Sequence, residues 1–276
     1  MEFTTRGIAT KLTGLSYLGG VATSSKISHS LEFSHQHTYA IYLAPASTSG
    51  YNTCSHSTPE CRMGCLNTSG RAAIEIFSGT HKIENARIKK TRLFYEEPEF
   101  FMAWMIAEIK AKQAKAKREG FFFSVRLNAT SDIDWQNVRV NGLNIFEIFP
   151  DILFYDYTKN ANKFLNIAPN YHLTLSYTGR NWHACEAMLK RGFNVAMVFN
   201  VKNEIDLPAM YKGYNVINGD LTDYRIDDAK GIIVGLKWKR IGNRENERKV
   251  LASCFVVNPI GNVDCNVQTL KLATAM

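Results

Sequence analysis

The sequence predicts an α/β fold built as a (β/α) barrel, complete or partial and TIM-like, with parallel strands. Apolar runs of strand length recur along the chain and alternate with segments of helix length. This alternation is typical of a parallel sheet whose crossover helices lie between consecutive strands. About eight strands in roughly 250 residues suit a barrel, and no glycine-rich phosphate motif follows any strand to favour an open nucleotide-binding sheet.

The N-terminal 34 residues are polar and show no clear period, so we expect an irregular arm over residues 1–34. A single barrel-like domain is expected over residues 35–276. Its first strand is predicted at Thr38–Ala44, a β-branched and aromatic run that ends at Pro45. A loop rich in Gly, Ser and Asn follows directly over residues 45–71.

Three helices and seven further strands follow this loop. A basic helix is predicted at Ile83–Tyr95, and Pro98 begins a second helix that runs to about Arg118 before Gly120. A third helix is predicted at Asn181–Arg191, where Gly192 provides the C-terminal stop. The remaining strands are predicted at residues 121–127, 152–157, 171–176, 194–199, 214–217, 232–236 and 251–257.

The loop after the first strand contains half of the cysteines of the chain. Cys54, Cys61 and Cys65 lie within the run LAPASTSGYNTCSHSTPECRMGCLNTSGR. Three thiols so close together in a pliable loop indicate a metal or cluster site more readily than packing. In a barrel this loop lies at the carboxyl ends of the strands, where active sites are built.

Three interpretations of these cysteines compete. A zinc site needs a fourth ligand such as His56, but the usual paired CxxC knuckles are absent. A disulfide with one free thiol conflicts with the absence of a secretory signal, since cytosolic cysteines stay reduced. We favour a [4Fe–4S] cluster held by three thiolates, with one iron open to a small ligand. The other three cysteines are Cys185, Cys254 and Cys265. They are expected to be small buried hydrophobic side chains, although Cys185 and Cys254 are alternative fourth ligands.

Polar residues follow most of the predicted strands at their carboxyl ends. Because these ends share one rim of a barrel, the polar set is expected to converge with the cysteine loop as a cofactor-binding surface. Each residue alone also suits a turn or a helix cap. The candidates are Asn128, Asp132, Asp156, Lys159, Ser176, Asn200, Asp220 and Lys237.

A series of motifs resembles the bacteriophage proteins grouped as gene product 88-like. They include the cysteine loop itself, RLNATSDIDW, FPDILFYDYTK, NYHLTLSYT, NVAMVF, GDLTDYRIDD and GIIVGLKWK, and the likeness covers roughly residues 39–239. This resemblance implies a phage protein and does not by itself imply a reaction.

The cysteine loop after a first barrel strand also resembles, more distantly, the radical S-adenosylmethionine enzymes. That likeness implies a [4Fe–4S] cluster on three thiolates, with S-adenosylmethionine bound at the open iron. The spacing differs, because the usual pattern has three and then two residues between cysteines, whereas this chain has six and then three. The departure weakens the implied cofactor more than it weakens the cluster.

The charge of the chain leaves a second class of function open. A formal net charge of +8 and a pI near 9.1 favour polyanionic partners. Arg87, Lys89, Lys90 and Arg92, with Lys110–Arg118, would form the basic surface of a nucleic-acid-binding protein whose zinc or redox-sensing cluster is not catalytic. No membrane span or signal peptide is visible, so we expect the protein in the host-cell cytoplasm.

Overall fold

A mostly parallel sheet with helices packed against it is the centre of the structure, a computed structural model that describes residues 6–21, 23–65, 74–75 and 78–259. The helices are α1 (Arg6–Thr13), α2 (Ser25–Ser34), α3 (Pro59–Met63), α4 (Lys82–Glu96), α5 (Pro98–Arg118), α6 (Ile145–Ile148), α7 (Trp182–Lys190) and α8 (Arg244–Leu251). The strands are β1 (Gly19–Gly20), β2 (Gln36–Ile41), β3 (Phe122–Arg126), β4 (Arg139–Val140), β5 (Leu143–Asn144), β6 (Leu153–Thr158), β7 (Tyr171–Ser176), β8 (Asn194–Phe199), β9 (Met210–Tyr211), β10 (Tyr214–Asn218), β11 (Ile233–Lys237) and β12 (Val256–Val257).

Most predicted elements are confirmed. The long helix α5 and the strands β7 and β8 have the predicted bounds, and most of the others differ by one or two residues. The last predicted strand is wrong over most of its length. Residues through Leu251 complete the amphipathic helix α8, and only Val256–Val257 pair with the sheet.

The prediction of an irregular N-terminal arm is also wrong, because α1 and α2 lie within it. Helix α2 begins at the cap residue Ser24, whose hydroxyl accepts a hydrogen bond from the Ile27 amide. It buries Ile27 and Ser30 and ends with His35 in the left-handed conformation. Most other positions of this helix are polar, so its apolar stripe is too short to predict the helix from the sequence pattern.

The sheet follows the order β1-β2-β3-β6-β7-β8-β11-β10-β9. All pairs from β2 to β10 are parallel, while the short strands β1 and β9 pair antiparallel at the two edges. Strand β12 adds a second parallel partner to the end of β8. The predicted parallel α/β sheet is therefore confirmed.

A closed barrel is not found, since no pairing among the described strands joins the two edges of this sheet. Helix α2 reaches across from the β2 edge instead. Its Lys26 ammonium lies 2.6 Å from a carboxylate oxygen of Asp220, just after β10, and donates to the Gly219 carbonyl. The gap is thus filled by side chains and an ion pair rather than by strand hydrogen bonds.

The face of the sheet that packs against α4, α5 and α7 is apolar. Tyr39, Val125, Phe154 and Leu175 point to this side and join one core with residues of α4, α5 and α7, including the fully buried Trp104. Burial of this face supplies the main driving force for folding.

None of the described helices combines the length and apolarity needed to cross a bilayer.

The opposite, inner face of the sheet is polar although it is buried. Thr38 and Ser124 are paired in register, and their hydroxyl oxygens lie 3.0 Å apart. Tyr155, on the next strand, donates to the Thr38 hydroxyl at 3.2 Å. Helix α2 and residues 219–228, here called the inner-face segment, cover this side, with the Asp223 amide donating to the Ser30 hydroxyl.

An ion pair between Arg126 and Asp223 joins the inner face to the inner-face segment. Burial disfavours the charged form of both groups, but in each case the opposite charge of the partner outweighs that cost. The pKa of Arg126 is therefore raised and that of Asp223 is lowered. The guanidinium also lies over the Tyr157 ring, 5.0 Å from its centroid.

We expect Arg126→Met to lower the free energy of unfolding by about 3–5 kcal/mol, because it leaves the Asp223 carboxylate buried without its partner. Urea unfolding followed by circular dichroism measures the change. Arg126→Met combined with Asp223→Asn should recover much of the loss, since no charge is then left unpaired. A double variant as unstable as the sum of the two single variants would refute this account of the pair.

Candidate metal and ligand site at the sheet rim

The cysteine loop (residues 43–65 of the described chain) leaves β2 at the carboxyl end of the sheet and is pinned at its start. The buried Thr53 hydroxyl donates to the Ala44 carbonyl at 2.7 Å. The Thr53 carbonyl accepts a 2.8 Å hydrogen bond from the Asp132 amide in the loop after β3. These bonds hold Cys54, the next residue, beside the end of β3.

The second part of the loop crosses the ends of several other strands. Thr58 caps helix α3 by accepting from the Cys61 amide at 3.2 Å, and Glu60 pairs at 2.8 Å with Arg180, after β7. Gly64 lies so close to Trp238, after β11, that a Cβ atom there would be 3.0 Å from the indole ring. The loop therefore lies over the rim, as the sequence predicts.

Each of the three thiols has a cation nearby. Lys159, which follows β6, lies beside Cys61 and within electrostatic range of Cys54. Arg87 of α4 lies within electrostatic range of Cys65. Burial lowers the pKa of Lys159, but the sulfur of Cys61 and the carboxylate of Asp132 outweigh it, so that its pKa is raised.

The thiols have the donor chemistry of a metal site but not yet its geometry. Cys54, Cys61 and Cys65 are partly buried and have thiol side chains. Among the described residues, no group of three His, Cys, Asp or Glu side chains is close enough to hold one metal ion. His56 is exposed, with its Nδ1 atom 3.0 Å from the Ser55 hydroxyl. A bound metal would therefore require the three sulfurs to move together.

The remaining cysteines offer little to such a site. Cys185 is buried in α7, where burial raises the pKa of its thiol to about 12. Cys254 is disulfide-bonded, which corrects the expectation that the cysteines stay reduced and removes it as a free ligand. Cys265 lies outside the described residues.

Asp132 is the hub among the polar residues predicted to line the rim. Its carboxylate accepts from the Thr158 hydroxyl at 2.7 Å and the Lys159 amide at 2.9 Å, and it pairs at 2.6 Å with Lys163. The Lys163 ammonium also donates to the carbonyls of Asp132 and Ile133. The loops after β3 and β6 are thus joined, and Lys159 is held against the cysteine loop.

Asn128 and Asp156 form a second buried group just below this hub. The Asn128 side-chain carbonyl accepts from Ser131, Ile133 and Trp135, which shapes the loop after β3. Asp156 accepts from the Asn128 amide at 2.8 Å and from the Tyr171 hydroxyl at 3.0 Å. Burial raises the pKa of Asp156 to about 7 against the opposing effect of Arg126.

The other four predicted rim residues lie at the same end of the sheet with partners of their own. Asn200 donates to the Asn258 side chain at 2.9 Å, and the Ser176 carbonyl accepts from Asn181. Asp220 pairs with Lys26 and Lys239, and Lys237 lies 2.5 Å from Glu204. Of the eight candidates, Lys159 and Asp132 lie against the cysteine loop.

A pocket of about 200 Å³ opens beside the cysteine loop. It is lined by residues that the sequence pattern did not single out as a group. These include Asn52, Thr53, Tyr95, Asp134 and Lys163, together with Asp132. No local pattern connects them, since Asn52 and Thr53 lie in the cysteine loop, Tyr95 in a helix, and Asp134 and Lys163 after two different strands.

The four cations of helix α4 differ in exposure. Lys90 is buried over the Tyr17 ring, 4.8 Å from its centroid, and burial lowers its pKa to about 8. Arg87 lies over the Tyr42 ring, and the exposed Arg92 donates to the Ser49 carbonyl. Lys90 therefore drops out of the predicted basic surface, while nucleic-acid binding by the other cations, including Lys110–Arg118, stays a prediction.

Comparison with known proteins yields one match. The family model that matches is described as gene product 88 and covers residues 9–253. No curated protein and no solved structure matches the chain.

We expect the stability of the protein to fall as Asp156 ionises. Its pKa in the folded protein lies above the ordinary value of 3.8, so its contribution is complete below about pH 4 and is lost as the pH rises through about 7. Asp156→Asn should remove this component, on the order of a few kcal/mol between pH 4 and pH 8. Urea unfolding of both proteins across this range measures it.

The exposed Asp151 provides the matched control, because Asp151→Asn should keep the wild-type pH profile. Parallel profiles for wild type and Asp156→Asn would contradict a neutral, buried Asp156.

Proposed function

The chain belongs to the gene product 88 family of phage proteins, and we propose that it binds an iron–sulfur cluster of the [4Fe–4S] type. Cys54, Cys61 and Cys65 are the proposed ligands. The observation that carries the proposal is that one loop places three cysteine thiols along the carboxyl-end rim, each with a cation nearby.

The donor set suits iron and sulfide. Soft thiolate ligands favour iron–sulfur clusters, and a cluster with three thiolates is anionic. Lys159 and Arg87 offset that charge, and hydrogen bonds or charges near cluster sulfurs tune its potential. A three-cysteine set leaves one iron for a ligand from outside the protein.

The rim residues position the loop rather than ligate the metal. Asp132 and Thr53 fix the segment before Cys54, while Glu60 and Trp238 support the segment around Cys61 and Cys65. With a cluster bound, Cys61 would be one of its ligands and Lys159 would be the cation beside it. Asn128 and Asp156 act beneath this loop by holding the turn after β3.

A cluster with an open iron supplies one-electron chemistry to a small ligand bound there. We propose S-adenosylmethionine as that ligand, since the radical enzymes that the cysteine loop resembles bind it. Equilibrium binding of S-adenosylmethionine to the anaerobically loaded protein tests this part separately. A loaded protein that fails to bind it would keep the cluster and lose this reaction class.

We expect protein isolated without oxygen and supplied with iron and sulfide to contain about four of each per chain and to absorb broadly near 400 nm. Cys54→Ala, Cys61→Ala and Cys65→Ala should each lose most of the iron, because each removes one of three ligands. Iron, acid-labile sulfide and zinc analysis of the purified proteins gives the readout.

Cys185→Ala is the matched control, since it removes a free thiol buried in α7 and should keep its iron. A measured content of one zinc and no sulfide per chain would indicate a structural metal site instead of a cluster. Iron content that does not respond to the three loop substitutions would end the proposal.

Replacement of Lys159 tests the role of the cation. We expect Lys159→Met to lower the reduction potential of the loaded protein by tens of millivolts, because loss of a positive charge disfavours the added electron. Electrochemical titration measures the potential. The exposed Lys202 serves as control, and equal potentials for Lys159→Met, Lys202→Met and wild type would place Lys159 away from the cluster.

A further inference from the structure

The pocket beside the cysteine loop is formed by four separate segments of the chain. Asn52 and Thr53 come from the loop after β2, Tyr95 from the end of α4, Asp134 from the loop after β3 and Lys163 from the segment after β6. Its volume of about 200 Å³ is smaller than that of drug-sized sites, so only a small ligand fits. The cysteine loop forms one wall, and Cys54 is the residue between Thr53 and the wall residue Ser55.

Most of the polar wall is already committed to internal hydrogen bonds. Lys163 donates all three ammonium protons to Asp132 and Ile133. Both carboxylate oxygens of Asp132 accept from the segment 158–163. The Tyr95 hydroxyl donates to the Asn52 carbonyl at 3.3 Å. The cation of the pocket therefore has no proton left for an anionic ligand.

Asp134 differs from these residues. Its Oδ2 atom accepts from the Asn137 side chain at 2.8 Å, but its Oδ1 atom, which is buried, has no hydrogen-bond partner among the described residues. With Asp132 neutralised by Lys163, the Asp134 carboxylate sets the charge of the wall. The other nearby ammonium, that of Lys159, lies beside Cys61 in the cysteine loop.

We infer that this pocket binds a small organic cation, a molecule whose protonated amine donates to Asp134. An ammonium group supplies both the charge and the proton that the free carboxylate oxygen needs, and such charge-assisted hydrogen bonds are the strong ones. The Tyr95 ring, stacked on Tyr51 with centroids 4.5 Å apart, adds an aromatic wall suited to the carbon chain of such a ligand. Because the protein alone forms these contacts, binding does not require the cluster.

The test uses metal-free full-length protein and three four-carbon probes of matched length, namely 1,4-diaminobutane, 1,4-butanediol and succinate. Calorimetric titration should show saturable binding of the diamine, and binding of the diol and succinate should be weaker by roughly tenfold or more. Asp134→Asn should weaken diamine binding by a similar factor, whereas Asp151→Asn, at an exposed position outside the pocket, should leave it unchanged.

A second variant separates the volume of the pocket from its charge. Ser55 is exposed on the pocket wall, and Ser55→Trp should fill the space and abolish binding while the fold, followed by circular dichroism, is retained. Three outcomes overturn the inference: no saturable binding of the diamine, a preference for succinate, or diamine binding that neither Asp134→Asn nor Ser55→Trp changes. Since no metal is present in the titration, a failed cluster proposal would leave this result standing, and the reverse holds as well.

Discussion

The ion pair between Asp132 and Lys163 is the interaction on which the rim of this protein depends. It joins the loops after β3 and β6, and the Asp132 backbone amide binds the cysteine loop through Thr53. Both side chains are largely buried, so each charge relies on the other and on the hydrogen bonds around it. Without this pair, neither the approach of Lys159 to Cys61 nor the pocket at Asp134 would have a fixed frame.

The open sheet and its polar inner face follow from a second set of buried charges. In a closed barrel, strands from both edges meet and side chains from the sheet fill the interior. Here the edges do not pair among the described strands, and the space carries Arg126, Asp223 and the hydroxyls of Thr38 and Ser124 instead. Buried ionic groups of this kind contribute more to a single arrangement of the segments than to net stability.

Much of the fold was predictable because the strands β6, β7, β8 and β11 are apolar runs bounded by turn residues, and α5 has both its proline start and its glycine stop. The openness of the sheet was not predictable, since it depends on which edges meet in space. The burial of Lys90 was not predictable either, because the Tyr17 ring over which it lies comes from the N-terminal region. Cys54, Cys61 and Cys65 were found from spacing alone, whereas the pocket at Asp134 arises from four segments that no local pattern connects.

The contacts of helix α2 with the inner-face segment also bear on how the chain is made. The bond from Lys26 to Gly219 joins residues 193 positions apart, and the Ser30 hydroxyl binds the Asp223 amide across the same separation. During synthesis, strands β2, β3, β6, β7 and β8 leave the ribosome in the order in which they neighbour one another in the sheet, so each can add to the last. The polar face that they create stays without the inner-face segment, the second of its two covers, until that segment emerges. For most of translation, the apolar face of the sheet can therefore already be covered, whereas full cover of the polar inner face requires residues from the final third of the chain.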